Sequence, residues 1–98
     1  MKFIIKNARE NLTTLTRKIG YIFQREDKER GQFSLIRPLE RGGYPRFHLY
    51  LKIEEEIFIF NLHLDQKRPI YKGAPAHAGE YEGKIVENET ERIKQALQ

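Results

Sequence analysis

Two stretches of strict alternation lie back to back in the middle of this chain, and they constrain its fold more than any other feature. In residues 46–53 (RFHLYLKI), Phe47, Leu49, Leu51 and Ile53 alternate with Arg46, His48, Tyr50 and Lys52. In residues 56–65 (EIFIFNLHLD), Phe58, Phe60, Leu62 and Leu64 alternate with Ile57, Ile59, Asn61, His63 and Asp65. Strand side chains point to opposite faces with a period of two, so each stretch reads as a strand with one apolar face. Glu54, Glu55 and Glu56 between them read as a solvated turn, and the two strands form a hairpin. Register follows, because only some pairings bring apolar face to apolar face. A four-residue loop, 54–57, pairs Ile53 with Phe58, Leu51 with Phe60, Leu49 with Leu62 and Phe47 with Leu64. It also sets His48 across from His63, Tyr50 across from Asn61 and Arg46 across from Asp65. A two-residue loop keeps the faces and moves these neighbours to diagonals.

The flanking segments suggest what packs on the apolar face. From Asn7, the residues Ala8, Leu12, Leu15, Ile19 and then Ile22 or Phe23 recur at three- and four-residue spacing, which predicts an amphipathic helix. Asn7 with Glu10 resembles a capping box at its start. The charged stretch 24–32 (QREDKERGQ) reads as an exposed connection, and Phe33 opens a further strand that ends at Pro38 and the turn-forming run 40–45. After the hairpin come a short segment, Ile70-Tyr71-Lys72, and a Gly-, Pro- and Ala-rich loop over 73–83 of the kind that often carries function. Lys84-Ile85-Val86 reads as a last strand. Asn88 with Glu91 repeats the capping signal ahead of a short terminal helix carrying Ile93, Ala96 and Leu97. The expected fold class is α+β: a small antiparallel β-sheet or open β-barrel with an N-terminal amphipathic helix and a short C-terminal helix.

With 98 residues, the chain has material for one core, and residues 1–98 are expected to form a single domain. No stretch approaches the roughly 18 apolar residues of a membrane span. The apolar run after Met1 and Lys2 is only Phe3-Ile4-Ile5, too short for a secretory leader. The absence of cysteine excludes disulfides, thiolate metal sites and thiol nucleophiles, and fits a cytoplasmic setting. The net charge of +4 is unevenly spread: residues 1–53 hold 12 Lys/Arg against 5 Asp/Glu, and residues 54–98 hold 6 against 9. A basic half of this kind attracts phosphate, although small proteins also carry such charge merely for solubility.

The residue types on the second face of the hairpin suggest chemistry. His63 and Asp65 are two apart on one strand and point the same way, and His48 lies on the neighbouring strand on that face. Imidazole and carboxylate are ligands for Zn²⁺ or Mn²⁺, and His77 on the later loop could complete the set. The plain alternative is a solvent-facing polar sheet. Glu80 and Glu82, flanking Tyr81, are a weaker acid–base pair. No phosphate-binding loop, dinucleotide fingerprint, nucleophile elbow or helical His-Glu-x-x-His motif occurs, so no nucleotide cofactor is expected. Arg37, Arg41, Arg46 and Lys52 surround Tyr44, Phe47 and Tyr50, while Lys67, Arg68 and Lys72 surround Tyr71. Cations interleaved with aromatic rings suit nucleic acid, as single strands or DNA ends, although Phe47 belongs to the apolar face.

The runs FSLIRPLERGGYPRFHLYLKIEEEIFIF (33–60) and PIYKGAPAHAGEYEGKIV (69–86) resemble the 3′-phosphoesterase domain associated with bacterial DNA ligase D. The resemblance implies a small β-barrel that uses a divalent metal, commonly manganese, to remove 3′ phosphate or ribonucleotide from DNA ends. Under it, His48 matches the strand histidine of the family's metal site. Lys52 stands where the family has a phosphate-contacting arginine, which keeps the charge but loses the bidentate fork. Tyr71 approximates a later tyrosine, and Gly79 with Tyr81 matches a Gly-x-Tyr turn. Tyr50, however, replaces the family's metal-binding aspartate, Arg68 stands where a histidine precedes proline, and the upstream histidine falls near Arg37 or Pro38. The family's own metal site therefore cannot form here. One expectation is a non-catalytic relative that binds nucleic acid or a partner. The other is a displaced site of His48, His63, Asp65 and His77, with Lys52 or Arg68 stabilising charge and Tyr71 orienting substrate. An interaction or structural module with incidental histidines is the alternative from a different class.

Overall fold

The structure is a computed structural model that describes residues 1–6, 8–66, 79–80 and 83–98. Among them the chain forms β1 (Lys2–Ile5), α1 (Leu12–Ile19), β2 (Ile22–Asp27), β3 (Gln32–Pro38), β4 (Arg46–Glu54), β5 (Ile57–Asp65), β6 (Gly79–Glu80) and α2 (Lys84–Ala96). The strands make one open antiparallel sheet in the order β1-β5-β4-β3-β2, and β6 pairs β5 at Leu64 and Asp65. The α+β class is as expected, and the sheet is open rather than closed into a barrel.

The central hairpin adopts the first of the two registers. Phe47, Leu49, Leu51 and Ile53 lie across from Leu64, Leu62, Phe60 and Phe58, and His48, Tyr50 and Arg46 lie across from His63, Asn61 and Asp65. Pairing runs one step further, to Glu54 and Ile57. This leaves Glu55 and Glu56 as the turn, with Glu55 at a positive φ of 54°. Both helices cover the apolar face, where Leu15, Ile19, Leu35, Leu49, Leu51, Phe60, Leu62, Val86 and Ile93 are fully buried.

Three expectations about the elements are corrected, and one strand is added. The first helix begins at Leu12, where Asn11 caps it by accepting from the Thr14 amide at 2.8 Å. It ends at Gly20, whose φ of 77° suits the left-handed conformation of a glycine cap. Asn7, read as the cap, lies outside the described residues. Ile22 and Phe23 belong to a strand, because residues 24–32 are no loose connection: β2 folds back on β3 as a hairpin. That strand is the sheet's edge and is exposed on both faces, so its sequence shows no alternation. The Phe3-Ile4-Ile5 run is strand β1, paired with β5 and anchored by Phe3 stacking on Phe60 at 4.9 Å between centroids. Finally, Lys84-Ile85-Val86 is not a strand but the first turn of α2, and Asn88 lies inside that helix. Val86, Glu89, Thr90 and Ile93 form its buried stripe at helical spacing, which overrides the β-branched local preference of Ile85 and Val86.

The stripe includes a charge. Glu89, only 5% exposed, accepts from the Tyr21 hydroxyl at 2.7 Å, from Arg92 at 2.8 Å with both oxygens, and from Arg37 at 3.3 Å. Arg92 also donates to the carbonyl of Ile19 at 2.6 Å, so one carboxylate ties α2 to the end of α1 and to β3. Burial, reinforced by the negative charge of Glu89, pushes the Tyr21 phenol well above its ordinary range. Among the described residues, no helix is long and apolar enough to cross a membrane.

Candidate metal centre

The face of the sheet away from the helices carries His48 and Tyr50 from β4 and His63 and Asp65 from β5, as strict alternation requires. Because β4 and β5 pair in register, the two histidines are directly opposite and their ring centroids lie 5.0 Å apart. Each is 7% exposed, which excludes the reading of this face as an ordinary solvated surface at these two positions. Asp65, two residues beyond His63, reaches both rings. Its Oδ2 lies 3.2 Å from His48 Nδ1, and its Oδ1 lies 3.0 Å from His63 Nε2. Arg46, across the hairpin, adds a contact from Nε to Oδ2 at 3.2 Å.

The electrostatics follow from this crowding. Burial alone would raise the Asp65 pKa, but hydrogen bonds from His48 and His63, the charge of His63 and the hydrogen bond from Arg46 outweigh it. The carboxyl is therefore held well below the usual carboxylate range. Ligand atoms of His48, His63 and Asp65 all lie within 4.8 Å of one another. Zinc or manganese binds imidazole nitrogen and carboxylate oxygen at about 2.0–2.2 Å, which places neighbouring donors on one ion roughly 3–3.5 Å apart. The two N···O separations of 3.0 and 3.2 Å are hydrogen-bond distances to different oxygens of Asp65, and with the ligand atoms spread over as much as 4.8 Å the three donors would have to draw together to share one ion.

Two residues that sequence reasoning overlooked complete the surroundings. Ser34 Oγ lies 2.6 Å from His48 Nε2 and donates to Gln24 Oε1 at 2.7 Å. The series carboxylate, imidazole, hydroxyl has the order of a nucleophilic triad. Ser34 is only 2% exposed, however, and its proton points at Gln24. In this arrangement the serine holds a ring and has no access to a substrate. The available sequence signal was its place on the polar face of β3, opposite Tyr50.

Beside His63 opens a polar cleft of about 640 Å³, lined also by Glu29, Arg30, Gln32, Tyr50, Lys52 and Asn61. Lys52 is exposed in it. The Tyr50 ring stacks on His48 at 4.4 Å between centroids, so it packs the site as well as lining the cleft. The remaining basic and aromatic residues divide. Arg41 is exposed and Tyr44 half-buried in the β3–β4 turn, and Arg46 lies 4.6 Å from the Tyr44 ring centroid. Arg37 does not belong with them: it faces the helices and is engaged by Glu89, which corrects its placement on a nucleic-acid face. Lys67, Arg68, Tyr71, Lys72, His77, Tyr81 and Glu82 lie outside the described residues. Gly79 is seen only as a strand partner of Asp65.

No family model, no curated protein and no solved structure matches the chain.

Proposed function

We propose that this domain holds one divalent cation, Mn²⁺ or Zn²⁺, between His48, His63 and Asp65, and acts on phosphate esters at nucleic-acid ends. The observation that carries the reading is the convergence of three buried or half-buried donors, with ligand atoms within 4.8 Å of one another, on one sheet face. The resemblance to the 3′-phosphoesterase domain, together with Lys52 and Arg30 in the polar cleft beside His63, supports the substrate class. A bound divalent cation would supply Lewis acidity and a water of lowered pKa. The chain's own residues provide the rest. Arg30 and Lys52 attract the phosphate into the cleft, Asn61 offers an amide to it, and Arg46 keeps Asp65 ionised and oriented toward the two rings. The buried positions of the histidines fix the donors before a cation arrives, which lowers the ordering cost of binding. A reducing, cytoplasmic setting belongs to the same proposal.

Calorimetric titration with Mn²⁺ and Zn²⁺, followed by an assay on a 3′-phosphorylated oligonucleotide, tests it. The expected result is one cation per chain, lost in His63→Ala, and metal-dependent release of phosphate. A wild-type protein that binds neither ion, or binds one and neither retains nor cleaves the oligonucleotide, refutes the proposal.

A further inference from the structure

We propose that Ser34 and Gln24 are positioning residues that keep the ring proton of His48 on Nε2, so that Nδ1 is the atom presented to the cation. This rests on the reading of His48, His63 and Asp65 as a metal centre and goes beyond it by assigning which nitrogen of each histidine binds.

The argument is one of proton counting. Ser34 Oγ makes two close contacts, with Gln24 Oε1 at 2.7 Å and with His48 Nε2 at 2.6 Å. A hydroxyl has one hydrogen to give and two lone pairs to receive with. The amide oxygen of Gln24 can only accept, so the serine hydrogen points there. The contact with His48 is then an Nε2–H donating into Ser34 Oγ. With Nε2 keeping its hydrogen against Ser34, Nδ1 is the nitrogen a cation would bind, in place of the hydrogen that Nδ1 donates to Asp65. That Nδ1 faces Asp65 Oδ2 at 3.2 Å, inside the donor cluster. His63 approaches the same carboxylate through Nε2, at 3.0 Å. The centre therefore takes one histidine through Nδ1 and the other through Nε2.

The fold shows how this support is built. β2 and β3 pair regularly at Phe23 with Leu35, but the next pair is Arg25 with Ser34, so Gln24 is the extra residue of a β-bulge. Bulges re-aim side chains and cluster beside functional sites. Here the bulge accompanies a Gln24 amide directed at Ser34. Ser34 itself is 2% exposed, which removes water as a competing partner for its hydroxyl. Ligating histidines characteristically donate their second ring N–H to a fixed acceptor, and loss of that acceptor typically weakens metal binding by about 10–100-fold. A serine whose proton is held elsewhere serves as such an acceptor.

The test uses Zn²⁺ as the probe and reads both affinity and the ring itself. Two-bond proton–nitrogen spectra of the Zn²⁺-loaded, ¹⁵N-labelled protein should show His48 protonated at Nε2 and bound through Nδ1, with His63 bound through Nε2. Ser34→Ala should weaken Zn²⁺ binding by about 10–100-fold. Gln24 is exposed on the edge strand, so variants there should fold, as circular dichroism will show. Gln24→Glu, which can only accept, should keep the wild-type affinity and ring signature. Gln24→Lys, which can only donate, should turn the Ser34 proton toward His48 and weaken binding as Ser34→Ala does. Zn²⁺ bound through Nε2 of His48, or equal affinities in wild type, Ser34→Ala and Gln24→Lys, would overturn the assignment and leave the metal centre standing. Wild-type protein that binds no Zn²⁺ would overturn both.

Discussion

The buried carboxylate of Glu89 offers the sharpest test of how the helices are held to the sheet. Replacing it by alanine removes the acceptor of the Tyr21 hydroxyl, and Tyr21 is itself only 5% exposed. A buried donor left without a partner costs about 1–3 kcal/mol. Arg92 and Arg37 lose their partner too, but their side chains are 39% and 34% exposed and can turn to water. They should add no more than about 1 kcal/mol between them. The expected loss is about 3 kcal/mol, from a total stability of roughly 5–15 kcal/mol for a domain of this length. The melting temperature should fall by roughly 12–24 °C, at about 4–8 °C per kcal/mol. Urea and thermal denaturation followed by circular dichroism would measure both. The cause can be isolated with a double-mutant cycle: adding Tyr21→Phe to Glu89→Ala removes the stranded hydroxyl, so the pair should be less destabilised than the sum of the singles by about 1–2 kcal/mol. A loss below about 1 kcal/mol for Glu89→Ala, or strict additivity with Tyr21→Phe, would show that the carboxylate is not the tie described here.

Three further outcomes are expected. Tyr21 has a raised folded-state pKa, so its contribution to stability is intact below the ordinary phenol range near 10 and is lost as pH rises above it. Alkaline spectrophotometric titration, read as the difference between wild type and Tyr21→Phe, should show Tyr21 un-ionised in the native protein past its ordinary range, and Tyr21→Phe should flatten the alkaline fall in stability. Asp65 is the opposite case: its depressed folded-state pKa contributes stability that is present above about 4 and lost as pH falls further. The slope of unfolding free energy between pH 4 and pH 2, measured by denaturant titration in EDTA, should therefore be shallower in Asp65→Asn than in wild type. At the hairpin turn, Glu55 occupies a left-handed conformation at φ 54°. Glu55→Gly should stabilise the protein by about 0.5–1 kcal/mol, and a loss of stability would mean that the Glu55 side chain contributes something other than backbone strain.

What could be read from the residues, and what could not, divides along a physical line. The β4–β5 hairpin was legible in full because alternation and a short turn act locally and reinforce each other. His48, His63 and Asp65 were legible with it, since register alone sets them on one face. β1 was not, because three apolar residues acquire a meaning only from a partner strand nearly sixty positions away. β2 was not, because an edge strand exposed on both faces is held by backbone pairing and leaves no hydrophobic pattern. The start of α2 was misread because two of the four buried positions in its stripe, Glu89 and Thr90, are polar. Ser34 and Gln24 escaped for a related reason. Gln24 reaches its partner across a bulge, and a bulge is a departure from the very periodicity used to read strands. The candidate donors therefore sit on the part of the fold most strongly determined by local pattern, while the groups that orient them come from its least patterned strand. A substitution at Gln24 can thus change the ligating geometry of His48 without disturbing the hairpin that carries it.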